Sequence, residues 1–201
     1  MPLFRQPEIV TLAVTGASGS MLARHGISIL DQDDRVKQIN LVPSDHALRI
    51  MAEELGIAGR NGLVERLLGH PSQKIQIQNN ADIGANIASG SYPTDAMIIL
   101  PCSMGTLSKI ANGLADQLIE RAADVCLKEQ RPLILCVRET PLNKIHLRNM
   151  AHAADAGATI FPVIPAFYTL PATTDDIARE YVNRVLAHIG LPQPGAYHWK
   201  G

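Results

Sequence analysis

Residues 95–113 read DAMIILPCSMGTLSKIANG. The run AMIIL is apolar without alternation, which suits a strand covered on both faces rather than one half exposed to water. It stops at Pro101, and a serine and a threonine three residues apart, Ser103 and Thr106, then open a helical stretch. Strand, polar turn and helix follow one another with no spacer. The same unit recurs along the chain. IVTLAVT (9–15) leads through GASGS into a helix reaching about Leu30, and KQINLV (37–42) leads to a helix from near Ser44 to Leu55. A weaker third strand is KIQIQ (74–78). DAMIIL (95–100) is the fourth, with helices expected over roughly 106–116 and 117–129. PLILCV (132–137) is the fifth, backed by the helix NKIHLRNMAHAADAG and closed by Gly157. ATIFPVI (158–164) is the sixth, before a last helix, TTDDIAREYVNRVLAHIG, with Thr173 or Thr174 as N-cap, two aspartates in its first turn and Gly190 at its end. Such alternation predicts an α/β fold: one doubly wound parallel sheet, Rossmann/flavodoxin-like, in a three-layer sandwich forming a single domain over 1–201.

Two stretches break this rhythm. Residues 57–73 and 79–94 are rich in Gly, Asn, Ser and Pro and are expected to be loops. Loops of that length tend to be functional or to pack against another subunit.

Composition narrows the function. The 201 residues carry a net charge of −1 and 46% apolar side chains, the balance of an ordinary globular protein. The 18 Lys and Arg are scattered, so no nucleic-acid surface is expected. No apolar run nears the ~18 residues that would span a bilayer, and MPLFRQPE lacks a signal-peptide core. Cys102, Cys126 and Cys136 show no CxxC spacing and fit a reducing, cytoplasmic setting. The seven histidines form no pattern such as HExxH, so no catalytic metal is expected.

In an open parallel sheet, ligands collect beyond the carboxyl ends of the strands. Three polar turns must share that edge. TGASGS (15–20) lets backbone N–H groups approach an anion at a helix start, with Ser18 adding a hydroxyl; a tight turn holding no ligand would use the same residues. It is not the GxGxxG fingerprint, so NAD is disfavoured. PCSMGT (101–106) offers Ser103 and Thr106 to a polar ligand, or to a plain N-cap. RETP (138–141) puts Arg138 and Glu139 at the end of an apolar strand, where charges need a ligand or an ion-pair partner. Arg121 and Lys128, seven residues apart on ERAADVCLKE, share a helical face. With Arg138 they form a second anion site, or else a solvated stripe beside Glu120 and Glu129. PAFYTLP (165–171) sets an aromatic pair between prolines, and Tyr168 can donate from that rigid loop.

Taken together, TGASG (15–19), ASGS (88–91), PCSMGTLSKIANG (101–113), LIERAADVCLKEQRPLILCVRETP (118–141), IHLRNM (145–150), and IPAFYTLPATTDDI (164–177) with Arg184 resemble the flavin prenyltransferases of the UbiX type. The resemblance runs over nearly the whole chain. It implies transfer of a dimethylallyl group from dimethylallyl phosphate to reduced FMN, without a metal, giving prenylated FMN for a UbiD-type decarboxylase. It implies FMN contacts at Gly16, Ala17, Ser18, Ser44, Ser103, Met104, Gly105, Thr106 and Arg138. Around the prenyl phosphate it implies Ser89, Gly90, Arg121, Lys128, Glu139, Tyr168 and Arg184, the last two reaching in from a neighbouring subunit of a homo-oligomer, usually a dodecamer. Glu139, Lys128, Ser18 and Glu54 are the implied catalytic groups. The chain departs from the family pattern at Met21, Pro43, Asp45 and Ile83, where relatives often carry other residue types. Two other readings compete: a flavoprotein decarboxylating cysteine-containing substrates, and an FMN carrier without prenyl transfer.

Overall fold

A computed structural model describes residues 6–197. The elements follow in the order β1 (Ile9–Val14), α1 (Ser20–Gln32), β2 (Gln38–Pro43), α2 (Asp45–Leu55), α3 (Leu63–Leu68), β3 (Ile75–Ile77), β4 (Ala96–Cys102), α4 (Met104–Ala111), α5 (Leu118–Lys128), β5 (Leu133–Val137), α6 (Lys144–Asp155), β6 (Thr159–Ile160) and α7 (Thr174–His188). The strands form one six-stranded parallel sheet in the order β3-β2-β1-β4-β5-β6. Strand order therefore reverses between β1 and β4, the position where a crevice opens at the carboxyl edge of a doubly wound sheet.

Strands β4 and β5 are buried on both sides because they are apolar at every position. From Ala96 to Cys102 all seven residues of β4 are buried, as are all five of β5. One core joins alternate residues of the strands (Leu12, Leu41, Ile98, Cys136) to α1, α2, α3 and α7. The other joins the intervening residues (Ala13, Val42, Met97, Ile99) to α4, α5 and α6. The period of two along each strand thus assigns neighbouring side chains to opposite helical layers.

Several boundaries differ from those expected. Helix α4 begins at Met104 because Ser103 caps it, and it ends at Ala111 before Gly113, whose φ of 68° stops a helix at little cost. Strand β6 is two residues long rather than seven. Phe161 and Val163 still donate to Leu135 O and Val137 O, both at 2.9 Å. Pro162 between them has no N–H to contribute, and Pro165 ends the run. The expected loop 57–73 contains α3, whose Leu63 and Leu67 are buried against the first core. Residues 79–94 hold a short 3-10 turn at Asn86–Ala88. The last helix starts as expected, with Thr173 and Asp176 forming a reciprocal capping box.

Candidate functional site

The crevice at the strand reversal is a cleft of ≈ 370 Å³ lined by Thr15, Gly16, Ser44, Ser103, Gly105 and Thr106, with Asp45, His46, Asn80, Lys109, Gln117, Ile119 and Glu120. Its crest is held by Thr15, whose Oγ1 donates to Pro101 O (2.9 Å) and accepts from Ser103 N (2.8 Å). Two helices begin at its rim. Ser44 Oγ accepts from Ala47 N (3.1 Å) at the start of α2, and Ser103 Oγ accepts from Thr106 N (3.3 Å) at the start of α4. These caps leave the first amides of each helix without an intrahelical partner, so both positive helix ends face the cleft. Gly16 is needed where it stands: a Cβ there would come within 2.5 Å of His46 Cβ.

The first turn is arranged differently from the sequence expectation. The start of α1 does not wait for an external anion, because Glu54 on α2 already fills it. Its carboxylate accepts from Gly19 N (3.1 and 3.2 Å) and from Ser20 N (2.7 Å). Burial works to raise the Glu54 pKa, but hydrogen bonds from Ser18 and from the Ser20 and Gly19 amides outweigh it, and the net shift is downward. Ser18 and Glu54 are thereby brought together, and Ala17 lies half-buried beside them.

A second polar cluster lies where residues 79–94 cross α5. Arg121 Nε donates to Ala88 O (3.2 Å), while Arg131 reaches Gly90 O (2.6 Å) and Tyr92 O (2.9 Å). Ser89 and Gly90 thus lie against the α5 face that carries Arg121 and Lys128. The tips of the Lys128 and Glu129 side chains lie close over Gly90. Lys128 pairs with Glu129, and Arg121 with Asp124 at 2.8 Å. Both cations are partly exposed and paired with acids of their own helix, as in a solvated stripe, whereas Glu120 beside them is only 5% exposed.

Arg138 and Glu139 emerge exposed from the end of β5, and Arg138 N donates to Cys102 O (3.1 Å), which places the pair beside the Ser103 turn. They make no ion pair with each other or with another charged side chain among the described residues, so the internal ion-pair reading of RETP falls away. Met104 is half-buried against the second core. Tyr168 and Arg184 line a different cavity, of ≈ 100 Å³, with Ile164, Ile177, Tyr181 and Tyr197. The two residues are together, yet outside the cleft. The surface around them is apolar, with Ile164 and Phe167 each 68% exposed and Leu170 87%.

Sequence reasoning missed the Thr15 clamp and the polar floor made by Asn80, Lys109, Gln117 and Glu120. Asn80 caps α5 from a distant loop, accepting from Leu118 N on its carbonyl (2.9 Å) and from Ile119 N on Oδ1 (3.0 Å). No local pattern announces a cap supplied from 39 residues away. Glu120 carried a signal of its own, a lone acid among buried Leu118, Ile119, Ala122 and Ala123.

Comparison with known proteins bears directly on these features. The family model described as Flavoprotein matches residues 5–186. Flavin prenyltransferase UbiX of Salmonella typhimurium is 45% identical over 183 residues, 91% of this chain and 92% of that one. This chain belongs to the UbiX flavin prenyltransferase family. A crystal structure of a UbiX protein in complex with FMN and dimethylallyl pyrophosphate superposes with a TM-score of 0.86 at 38% identity, over 97% of this chain and 98% of that chain. A dodecameric FMN-dependent UbiX-like decarboxylase from Escherichia coli O157:H7 gives the same TM-score at 41% identity, over 96% and 100%. The UbiX family architecture accordingly extends across both cores and all three turns described above.

Proposed function

We propose that the protein is a flavin prenyltransferase, which moves a dimethylallyl group from dimethylallyl phosphate to reduced FMN and releases prenylated FMN for a UbiD-type decarboxylase. The observation that carries the reading is the presence of two separate polar sites, one at the carboxyl edge of the sheet and one along α5 toward the amino end of β5. One is the cleft with its open helix ends; the other is the Gly90–Arg121–Lys128 cluster. A flavin carrier needs only the first. A cysteine decarboxylase has no use for cations gathered around a glycine backbone.

FMN fits the cleft. Its phosphate suits the first amides of α2 and α4, with Ser44, Ser103 and Thr106 as hydroxyl partners and Gly16 allowing close approach. Ala17, Met104, Gly105 and Arg138 complete the binding set. The flavin supplies the nucleophilic N5 and C6 to which the prenyl carbons become joined. Lys128 and Arg121 stabilise the charge that develops on the departing phosphate, beside Ser89 and Gly90. Glu139 supplies a proton to that phosphate. Glu54, kept anionic by its hydrogen bonds, fixes Ser18 near the reacting edge.

Tyr168 and Arg184 reach the phosphate of a neighbouring subunit, so the working species is a homo-oligomer, in our reading a dodecamer. Their position outside the cleft and the exposed Ile164, Phe167 and Leu170 around them support this assembly. The chain acts as one flavoprotein domain, and the cytoplasm is its proposed location. Its three cysteines are buried and unpaired, and burial pushes the Cys126 and Cys136 thiols up to about 12. Among the described residues no helix is long and apolar enough to cross a membrane.

The test is anaerobic incubation of the protein with reduced FMN and dimethylallyl monophosphate or diphosphate, followed by mass spectrometry of the released flavin. A flavin heavier by one isoprene unit is the expected result. Unchanged FMN with both donors, despite tight binding, would favour the carrier.

A further inference from the structure

Glu120 is buried at the floor of the cleft without the partners a carboxylate normally has. It lies in the first turn of α5 and is 5% exposed. Its Oε1 is 3.8 Å from Lys109 Nζ, and that ammonium is already held by both oxygens of Asp116, at 2.9 and 3.1 Å. Its Oε2 is buried with no hydrogen-bond partner among the described residues. The nearby amides are spoken for: Asn80 takes Leu118 N and Ile119 N, and its own Nδ2 donates to Gln117 Oε1 (2.6 Å). A buried carboxylate short of donors carries a desolvation cost that its place near a helix start offsets only in part. The flanking Leu118, Ile119, Ala122 and Ala123 show that an apolar side chain would pack on this helix at no such cost.

What fills the cleft can supply the missing donor, because Glu120 lines it together with Ser44, Ser103 and Thr106. A carboxylate repels a phosphate, and the phosphate has the open ends of α2 and α4 to go to. The flavin part that meets Glu120 is therefore a neutral donor. FMN has two kinds, the hydroxyls of its ribityl chain and the N3–H of its ring. We propose that the Glu120 carboxylate accepts a hydrogen bond from one of these neutral donors and fixes how far the flavin slides along the cleft, with Lys109 as its counter-ion. This assignment rests on the flavin reading above and adds a binding residue to it.

The experiment is a fluorescence titration of the intact protein and of Glu120→Ala with FMN, with 3-methyl-FMN, and with an FMN analogue whose ribityl hydroxyls are replaced by hydrogen. In the unaltered protein one of the two analogues should bind more weakly than FMN by roughly ten- to a hundredfold, the usual effect of a hydrogen bond to a charged group. Loss with 3-methyl-FMN assigns the ring N–H, and loss with the other analogue assigns the ribityl chain. In Glu120→Ala, FMN should bind as weakly as that analogue, and the difference between the two should vanish. A merely structural role would weaken all three ligands alike and keep their order, which would overturn the proposal. Equal binding of all three to the unaltered protein would overturn it too, and needs no variant that folds. If the unaltered protein bound no flavin at all, the flavin reading itself would fall; tight FMN binding indifferent to Glu120 would remove only this assignment.

Discussion

The two Gly- and Asn-rich stretches, 57–73 and 79–94, look alike in composition and end up with different jobs. The first folds back on its own chain. Leu63 and Leu67 of α3 enter the first core, and Arg66 donates to the carbonyls of Ala58 (2.7 Å), Gly59 (3.0 Å) and Asn61 (2.7 Å), so the loop is tied by one of its own side chains. The second is tied from outside, by Arg121 and Arg131 on its carbonyls, and in return it lends Asn80 to the start of α5. One loop adds core; the other adds a site. What separates them is the spacing of a few leucines and the element that supplies the hydrogen bonds, not their glycine content.

That contrast can be broken at either loop. The largest effect expected is on stability at the first. Leu63→Ala removes a fully buried side chain and should cost about 2–5 kcal/mol, read as a drop in urea midpoint, with prenyl transfer per folded molecule unchanged. Loss of activity at full stability would place the first loop in the site. At the second loop the expectation reverses. Lys128→Ala should leave FMN affinity and the melting temperature nearly unaltered, yet slow single-turnover prenyl transfer by about 10²–10³, the usual effect of losing one charge-stabilising donor. An unchanged rate would remove Lys128 from the chemistry.

Two smaller effects sharpen the comparison. The first loop rejoins the sheet at Lys74, whose Nζ donates to the carbonyls of Asp31 and Asp33. The Asp33 carboxylate is held down to about 2, first by its hydrogen bonds to Arg35, against the opposing effect of burial. Its folded value lies below its unfolded one, so its contribution is present above about pH 4 and is lost as pH falls toward 2. Asp33→Asn should therefore cost on the order of 2 kcal/mol at pH 7 and progressively less between pH 4 and 2. A pH-independent difference would assign the loss to packing. The smallest effect is expected at Asn80→Ala, about 1 kcal/mol from the lost cap on α5, together with weaker FMN binding. If binding stayed unchanged, the second loop would shape only the phosphate cluster.

The parts of the fold legible in advance were those dictated by local pattern. Continuous apolar strands, hydroxyl caps and glycine stops marked the sheet, its direction and most helix starts. Strand β6 was misjudged because ATIFPVI is apolar but for Thr159, while the missing N–H of Pro162 is invisible to an apolar count. Helix α3 was missed because four apolar residues in one turn and a half were hidden among glycines. In the site, the residues on the turns could be read, since each turn immediately follows its strand. Asn80 and Glu120 could not be placed, because their roles arise from contacts between α5 and a loop far away in sequence. Glu54 was named, yet its grip on the first turns of α1 is a long-range arrangement of the same kind.

The hydroxyl of Thr15 gives the molecule a fixed gauge. It joins the two halves of the sheet through one donated and one accepted bond, 2.9 and 2.8 Å long, at the very line where strand order reverses. The slot above that line cannot be widened without breaking both. A ligand that gains a ring there meets a crest of fixed width, so the added bulk is taken up on the open side of the cleft. The room for the product is a property of that open side, and the sheet serves as a ruler held at constant length.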